Sequence, residues 1–309
     1  MIKNKKLSLA IICLSIVILV FNTLFTITIT PSLFARQLSQ LVSNQPAPVS
    51  SPTPASNYDR LVNQVAPDSG QTVHVHWGDM GQKLIASGAI DYDKFSKHYT
   101  SLTIEQEQIL TGDNLSQITF TPENIQFWTN VLWSLGLTQQ SKVLNEGLMM
   151  TRADQVPVAN YAGTAGWTLG SKDAMDLYSS TNLIDLTSEQ HDHVMTIAEN
   201  IFRPCCGNHT AYPDCNHGMA VLGLLQLMVS QGASEEEMYQ AALAFNSYAF
   251  TSTHITTAAY LEQQGTSWQD TTAKEILSST YSSGQGASTI ASAVGDIPGA
   301  PQKGASCGA

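Results

Sequence analysis

Residues 203–219 read Arg-Pro-Cys-Cys-Gly-Asn-His-Thr-Ala-Tyr-Pro-Asp-Cys-Asn-His-Gly-Met, and residues 220–232 continue Ala-Val-Leu-Gly-Leu-Leu-Gln-Leu-Met-Val-Ser-Gln-Gly. The second half of this stretch is apolar on nearly every helical face. A helix of that kind is buried on all sides, so the segment from about Cys215 to Gly232 predicts the central helix of the fold. The first half is its entry loop, stiffened by Pro204 and Pro213. It holds three of the five cysteines and two of the eight histidines.

The pattern extends outward as helices. Thr187 with Gln190 three residues on fits a capping box, opening a helix that runs to about Phe202 and is stopped by Pro204. Ser234 and the acids behind it open a helix over 235–250. Thr121-Pro-Glu-Asn124 predicts a helix over 122–135, with Thr121 as cap and Gly136 as its stop. Further helices are expected at 79–87, 92–99, 104–110, 139–146, 253–263 and 268–281. Val73 and Val75 alternate with His74 and His76, the period of a strand, and 117–120 is a second short strand. Tyr161–Gly170 is glycine-rich but lacks the Gly-Lys-Ser/Thr ending of a phosphate loop, so it reads as a structural turn around a buried Trp167. The fold class is therefore mainly α, a compact helical domain with at most a few short strands, behind an N-terminal transmembrane helix.

That transmembrane helix is read from Lys3, Lys5 and Lys6 followed by an apolar run over 7–29. The run exceeds a secretory signal core and suffices to span a bilayer, and the lysines favour a cytoplasmic N-terminus. Residues 1–30 are thus expected to be an uncleaved anchor in the cell membrane, single-pass, with the bulk of the chain extracytoplasmic. Cleavage near Ala35 would instead give a secreted protein. A Pro/Ser/Ala-rich linker over 31–57 is too proline-rich to build a core. The helical domain is placed at 58–281. Residues 282–309, rich in Gly, Ser and Ala, read as a flexible tail. The net charge of −11 excludes the basic footprint that nucleic acid needs, while 43% hydrophobic residues with strong periodicity exclude general disorder.

Chemistry concentrates in the loop. Cys206 and His209 form a Cys-x-x-His pair, and Cys215 and His217 a Cys-x-His pair. Thiolates and imidazoles are the ligands of zinc and copper. Cys206, His209, Cys215 and His217 make a Cys₂His₂ set, with Cys205 as a spare ligand. The N-terminus of the central helix favours a thiolate at Cys215. Two other readings stay open. Cys215 is a nucleophile with His209 or His217 as base, making the chain a thiol-dependent enzyme. Or a disulfide between Cys215 and Cys205 or Cys206 staples a non-catalytic binding or scaffold domain. His191 and His193 lie roughly 18–21 Å up the preceding helix at about 1.5 Å per residue and cannot join the loop. His74 and His76 read as an exposed polar face. No motif names a substrate or a protein partner.

Overall fold

The computed structural model describes residues 57–301. In chain order the elements are α1 (Asn57–Val65), β1 (Gln71–Gly78), α2 (Met80–Ser87), α3 (Tyr92–His98), α4 (Ile104–Thr111), β2 (Asn114–Phe120), α5 (Ile125–Thr138), α6 (Lys142–Glu146), α7 (Leu148–Thr151), α8 (Ala162–Ala165), α9 (Ala174–Leu177), α10 (Ser188–Ala198), α11 (Asn216–Ser230), α12 (Glu235–Ala249), α13 (Thr251–Gln263), α14 (Ala273–Ile276), α15 (Ser279–Ser282) and α16 (Gly284–Val294). The described chain is mainly helical, with one two-stranded antiparallel sheet of β1 and β2. Among the described residues no helix is long and apolar enough to cross a membrane. The anchor expected over 1–30 lies outside them, as does the linker over 31–57 except for Asn57, which opens α1.

α11 is the axis of the molecule. Every residue from Gly218 to Val229 is buried, as its all-round apolar sequence requires. Its closest partner is α5, buried from Phe127 to Thr138. The two backbones meet at Gly136, where a Cβ would stand 1.9 Å from the Met219 carbonyl oxygen. Gly136 therefore does not stop the helix, as its place after Leu135 suggested. It sits inside α5 and permits the close approach. α5 also starts later than expected, at Ile125. Thr121 and Asn124 cap one another through Asn124 N–H to Thr121 Oγ1 and Thr121 N–H to Asn124 Oδ1, which holds residues 121–124 in a turn.

Around this pair the capping signals hold. Thr187 and Gln190 form a complete capping box on α10, and Ser234 and Glu237 another on α12. α10 ends at Ala198, short of the expected Phe202, because Phe202 leaves the helix to bridge His209 and donates its N–H to Leu277. β1 presents Val73, Val75 and Trp77 to the core and His74 and His76 to solvent, so the histidines form the expected exposed face. On the side of β1 away from β2, the His76 N–H donates to Gln231 Oε1 at 2.9 Å, and Gln231 Nε2 donates to the His76 carbonyl at 2.7 Å. The glycine-rich turn buries Trp167, whose indole donates to the Ala89 carbonyl.

The C-terminal expectations need correction. The single helix expected at 268–281 is replaced by a turn over 268–272 and two short helices, α14 and α15: Thr272 caps α14 by accepting the Glu275 N–H, and the extended backbone at Ser278 separates α14 from α15. The expected flexible tail from residue 282 contains α16, packed against α13 and α15. Its cap is Ser283, which accepts the Gly286 N–H, and its anchor is Ile290, 5% exposed. Small residues on its other faces mimic a tail composition, while Ile290 and, half-buried, Val294 pack on the core.

Candidate metal centre

The loop between α10 and α11 is built around Arg203. Its side chain is fully buried, and among the described residues no other Lys, Arg, Asp or Glu is. A buried guanidinium must have its charge and donors answered. Arg203 Nη2 donates to Asp214 Oδ1 at 2.6 Å and to the Tyr212 carbonyl at 3.0 Å, Nη1 donates to the Asn208 carbonyl at 3.3 Å, and Nε donates to Cys215 Sγ at 3.0 Å. The whole loop thus folds over one cation. Gly218 follows from the same arrangement: a Cβ there would lie 2.5 Å from the Arg203 guanidinium carbon.

Cys215 is the N-cap of α11, its sulfur accepting the Gly218 N–H at 3.4 Å. Cys205, exposed, brings its sulfur to 3.6 Å from that of Cys215. Cys206 is half-buried, with its sulfur 3.8 Å from Asp214 Oδ1. The three cysteines are free thiols here, not a disulfide. Hydrogen bonds from Cys205 and then Cys206, assisted by His217 and by the Arg203 charge, hold the Cys215 thiol far below its ordinary range. Cys205 is pushed the other way, by its hydrogen bonds with Cys206 and Cys215 and by burial. Cys215 therefore carries the thiolate of the cluster. Burial works against the Arg203 charge, but the fields of Cys215 and Cys206 raise its pKa.

Two sets of side chains in this loop could hold a metal ion: Cys205, Cys215 and His217, and Cys206, Asp214 and Cys215, each with its donor atoms within 4.8 Å of one another. Cys215 is common to both. In the second set Asp214 is already engaged, Oδ1 by Arg203 and Oδ2 by Asn208 Nδ2 at 2.7 Å. Its carboxylate serves the guanidinium, which leaves Cys205, Cys215 and His217 as the set whose donors already converge, with Cys206 close to Cys215 on the Asp214 side. The His217 ring is held against Phe250 at 4.6 Å and Phe245 at 6.5 Å, between α12 and α13.

His209 belongs to neither set. The Phe202–His209 bridge fixes its backbone, and its ring stands edge-on to Phe202 at 5.7 Å. Burial lowers its pKa, and its Nδ1 has no hydrogen-bond partner among the described residues. Of the residues singled out in the sequence, Cys205, Cys215 and His217 come together in one set and Cys206 joins Cys215 and Asp214 in the other. The sequence analysis did not single out Arg203, Asn208 or Asp214 as parts of the site. The available signal was a lone cation placed directly before Pro-Cys-Cys in a charge-poor chain. No protein-family model, no curated protein and no solved structure matches the chain.

Proposed function

We propose that this protein binds one soft or borderline metal ion, zinc or copper, through Cys205, Cys206, Cys215 and His217, on an extracytoplasmic domain tethered by an N-terminal membrane anchor. One observation carries the metal reading. The 3.6 Å between the Cys205 and Cys215 sulfurs matches the edge of about 3.8 Å expected for two thiolates each about 2.3 Å from a tetrahedral ion. A Cys₃His set is a closed zinc site, whereas copper(I) is satisfied by the thiolates alone. Arg203 offsets the negative charge that three thiolates would gather beside α11.

Metal analysis of protein purified without added metal, together with a free-thiol count, tests this. About one ion per chain is expected, with thiols reactive only after chelation, and Cys215→Ser removing the ion. Absent metal and freely reactive thiols in protein reconstituted with zinc or copper(I) would defeat it. The tether rests on Lys3, Lys5 and Lys6 before the apolar run over 7–29. A mature soluble protein beginning near Arg36, found by fractionation and intact mass, would defeat the anchor.

The Arg203 contact supports a second reading, in which Cys215 is a nucleophilic thiolate. It predicts a single fast-alkylating thiol at Cys215 in metal-free protein, abolished in Cys215→Ser. The sulfur separation favours the first reading, because 3.6 Å between Cys205 and Cys215 is the edge of a tetrahedral thiolate site.

A further inference from the structure

Far from the cysteines in sequence, a groove of about 660 Å³ runs between β1, the face of α12 and residues 268–273. Its chemistry is one-sided. No Lys or Arg lines it, whereas Glu236, Glu237 and Asp270 do. Gln71 Nε2 places one of its two N–H groups on the Val65 carbonyl and Gln240 Nε2 one of its two on Glu236 Oε1. Gln64 Oε1 is buried on the groove wall with no hydrogen-bond partner among the described residues. Ser247, 1% exposed, also lines the groove and has no partner for its hydroxyl. Buried polar atoms left unmet cost free energy unless something supplies the missing bond. Gln64 Oε1 lacks a donor, and the Ser247 hydroxyl can accept one. Trp268 and Val73 contribute apolar surface to the lining.

We propose that this groove binds an organic ammonium ion of the polyamine type, its N–H donors meeting Gln64 Oε1 and the Glu236 and Asp270 carboxylates and its methylenes lying over Trp268. An ammonium group is a donor with no acceptor capacity, the complement of this lining. Anionic ligands are excluded by the three carboxylates. The single imidazole on the lining, His74, is engaged with Gln117 Nε2 at 3.1 Å. The same chemistry is offered by a free polyamine and by lysine side chains of a peptide.

Calorimetric titration of the full chain decides the matter, with spermidine, tri-lysine and maltotriose as probes. Saturable binding of spermidine or tri-lysine is expected, the tighter of the two identifying the source, and Trp268 fluorescence should shift on binding. Glu236→Gln combined with Asp270→Asn should weaken it about tenfold or more. Glu105→Gln combined with Glu107→Gln, which removes the same charge from another surface, should leave it unchanged. Equal weakening by both pairs would reduce the effect to the overall negative field and overturn the proposal. So would saturable maltotriose binding in place of the amines, or no heat and no fluorescence change with either amine at millimolar concentration. Gln64→Leu, which keeps the side-chain volume, gives a variant outside the acidic pairs, and unaltered amine affinity there would remove Gln64 from the site.

Discussion

Arg203 Nε donates to Cys215 Sγ at 3.0 Å while the same guanidinium holds Asp214 at 2.6 Å. One cation therefore fixes both the thiolate at the start of the central helix and the carboxylate just before it. Loop geometry, helix capping and ligand placement share a single support.

Removing that support should be severe. Arg203→Met leaves Asp214 and the Cys215 thiolate without their counter-charge in a buried setting, and a loss of about 3–5 kcal/mol is expected in urea unfolding. Arg203→Lys keeps the charge but not the fork that reaches four acceptors at once, and should recover only part of the loss. Wild-type stability in Arg203→Met would show the guanidinium to be incidental.

The two loop histidines should separate cleanly. His217→Ala should lower zinc affinity about tenfold or more and leave copper(I) binding nearly intact, since thiolates alone suit copper(I). His209→Ala should leave both unchanged, because its ring stands against Phe202. Competition with a chromophoric chelator measures each, and equal losses in the two variants would restore His209 to the ligand set.

Gly136→Ala places a methyl group on the Met219 carbonyl of the neighbouring helix. Backbone cannot yield as a side-chain tip can, so the cost should lie at the upper end of overpacking, about 3 kcal/mol. A melting temperature within a degree of wild type would mean that α5 and α11 can shift apart freely.

His254 is wholly buried in α13, edge-on to Trp268 at 5.7 Å, with neither ring nitrogen hydrogen-bonded among the described residues. Burial depresses its pKa from 6.5 to about 4. The unfolded chain takes up its proton first as pH falls. This contribution is therefore intact above about pH 6.5 and is lost progressively down to about pH 4, some 3 kcal/mol in all. His254→Leu should flatten the stability profile in that window. Parallel profiles for the variant and wild type would assign the acid sensitivity elsewhere.

Ending the chain at Ser283 should loosen the cysteine loop as well as delete α16. Gly284 N–H donates to the Cys206 carbonyl at 2.8 Å, and Ile290 covers part of the core. A loss of about 2 kcal/mol or more from the apolar surface uncovered is expected, with faster labelling of the Cys206 thiol. Unchanged labelling would uncouple the last helix from the loop.

The sequence was legible wherever a signal is carried by neighbours in the chain. Thr187 with Gln190 and Ser234 with Glu237 are complete within four residues, and both capping boxes form. The apolar run after Cys215 announces burial on every face, and α11 is buried. What escaped depends on partners distant in sequence. Gly136 looks like a stop until Met219 is brought against it. Ser, Ala and Gly in α16 look like a tail until Ile290 finds the core. Within the loop, the crowding of Cys205, Cys206, Cys215 and His217 was visible. The place of His209 outside both candidate sets was not, because its backbone is tied to Phe202.

Gln231 has a consequence for the molecule's behaviour among its own copies. Among the described residues the sheet has only two strands, which leaves the outer side of β1 without a neighbouring strand, and such an edge invites pairing with another chain. At His76 a side-chain amide stands in for a peptide group, giving and taking one hydrogen bond each. The place where a foreign strand would begin to zip is already filled, and by a residue from the end of the most deeply buried helix. Solubility at that edge is thus guarded by the core itself: it lasts as long as α11 stays in place.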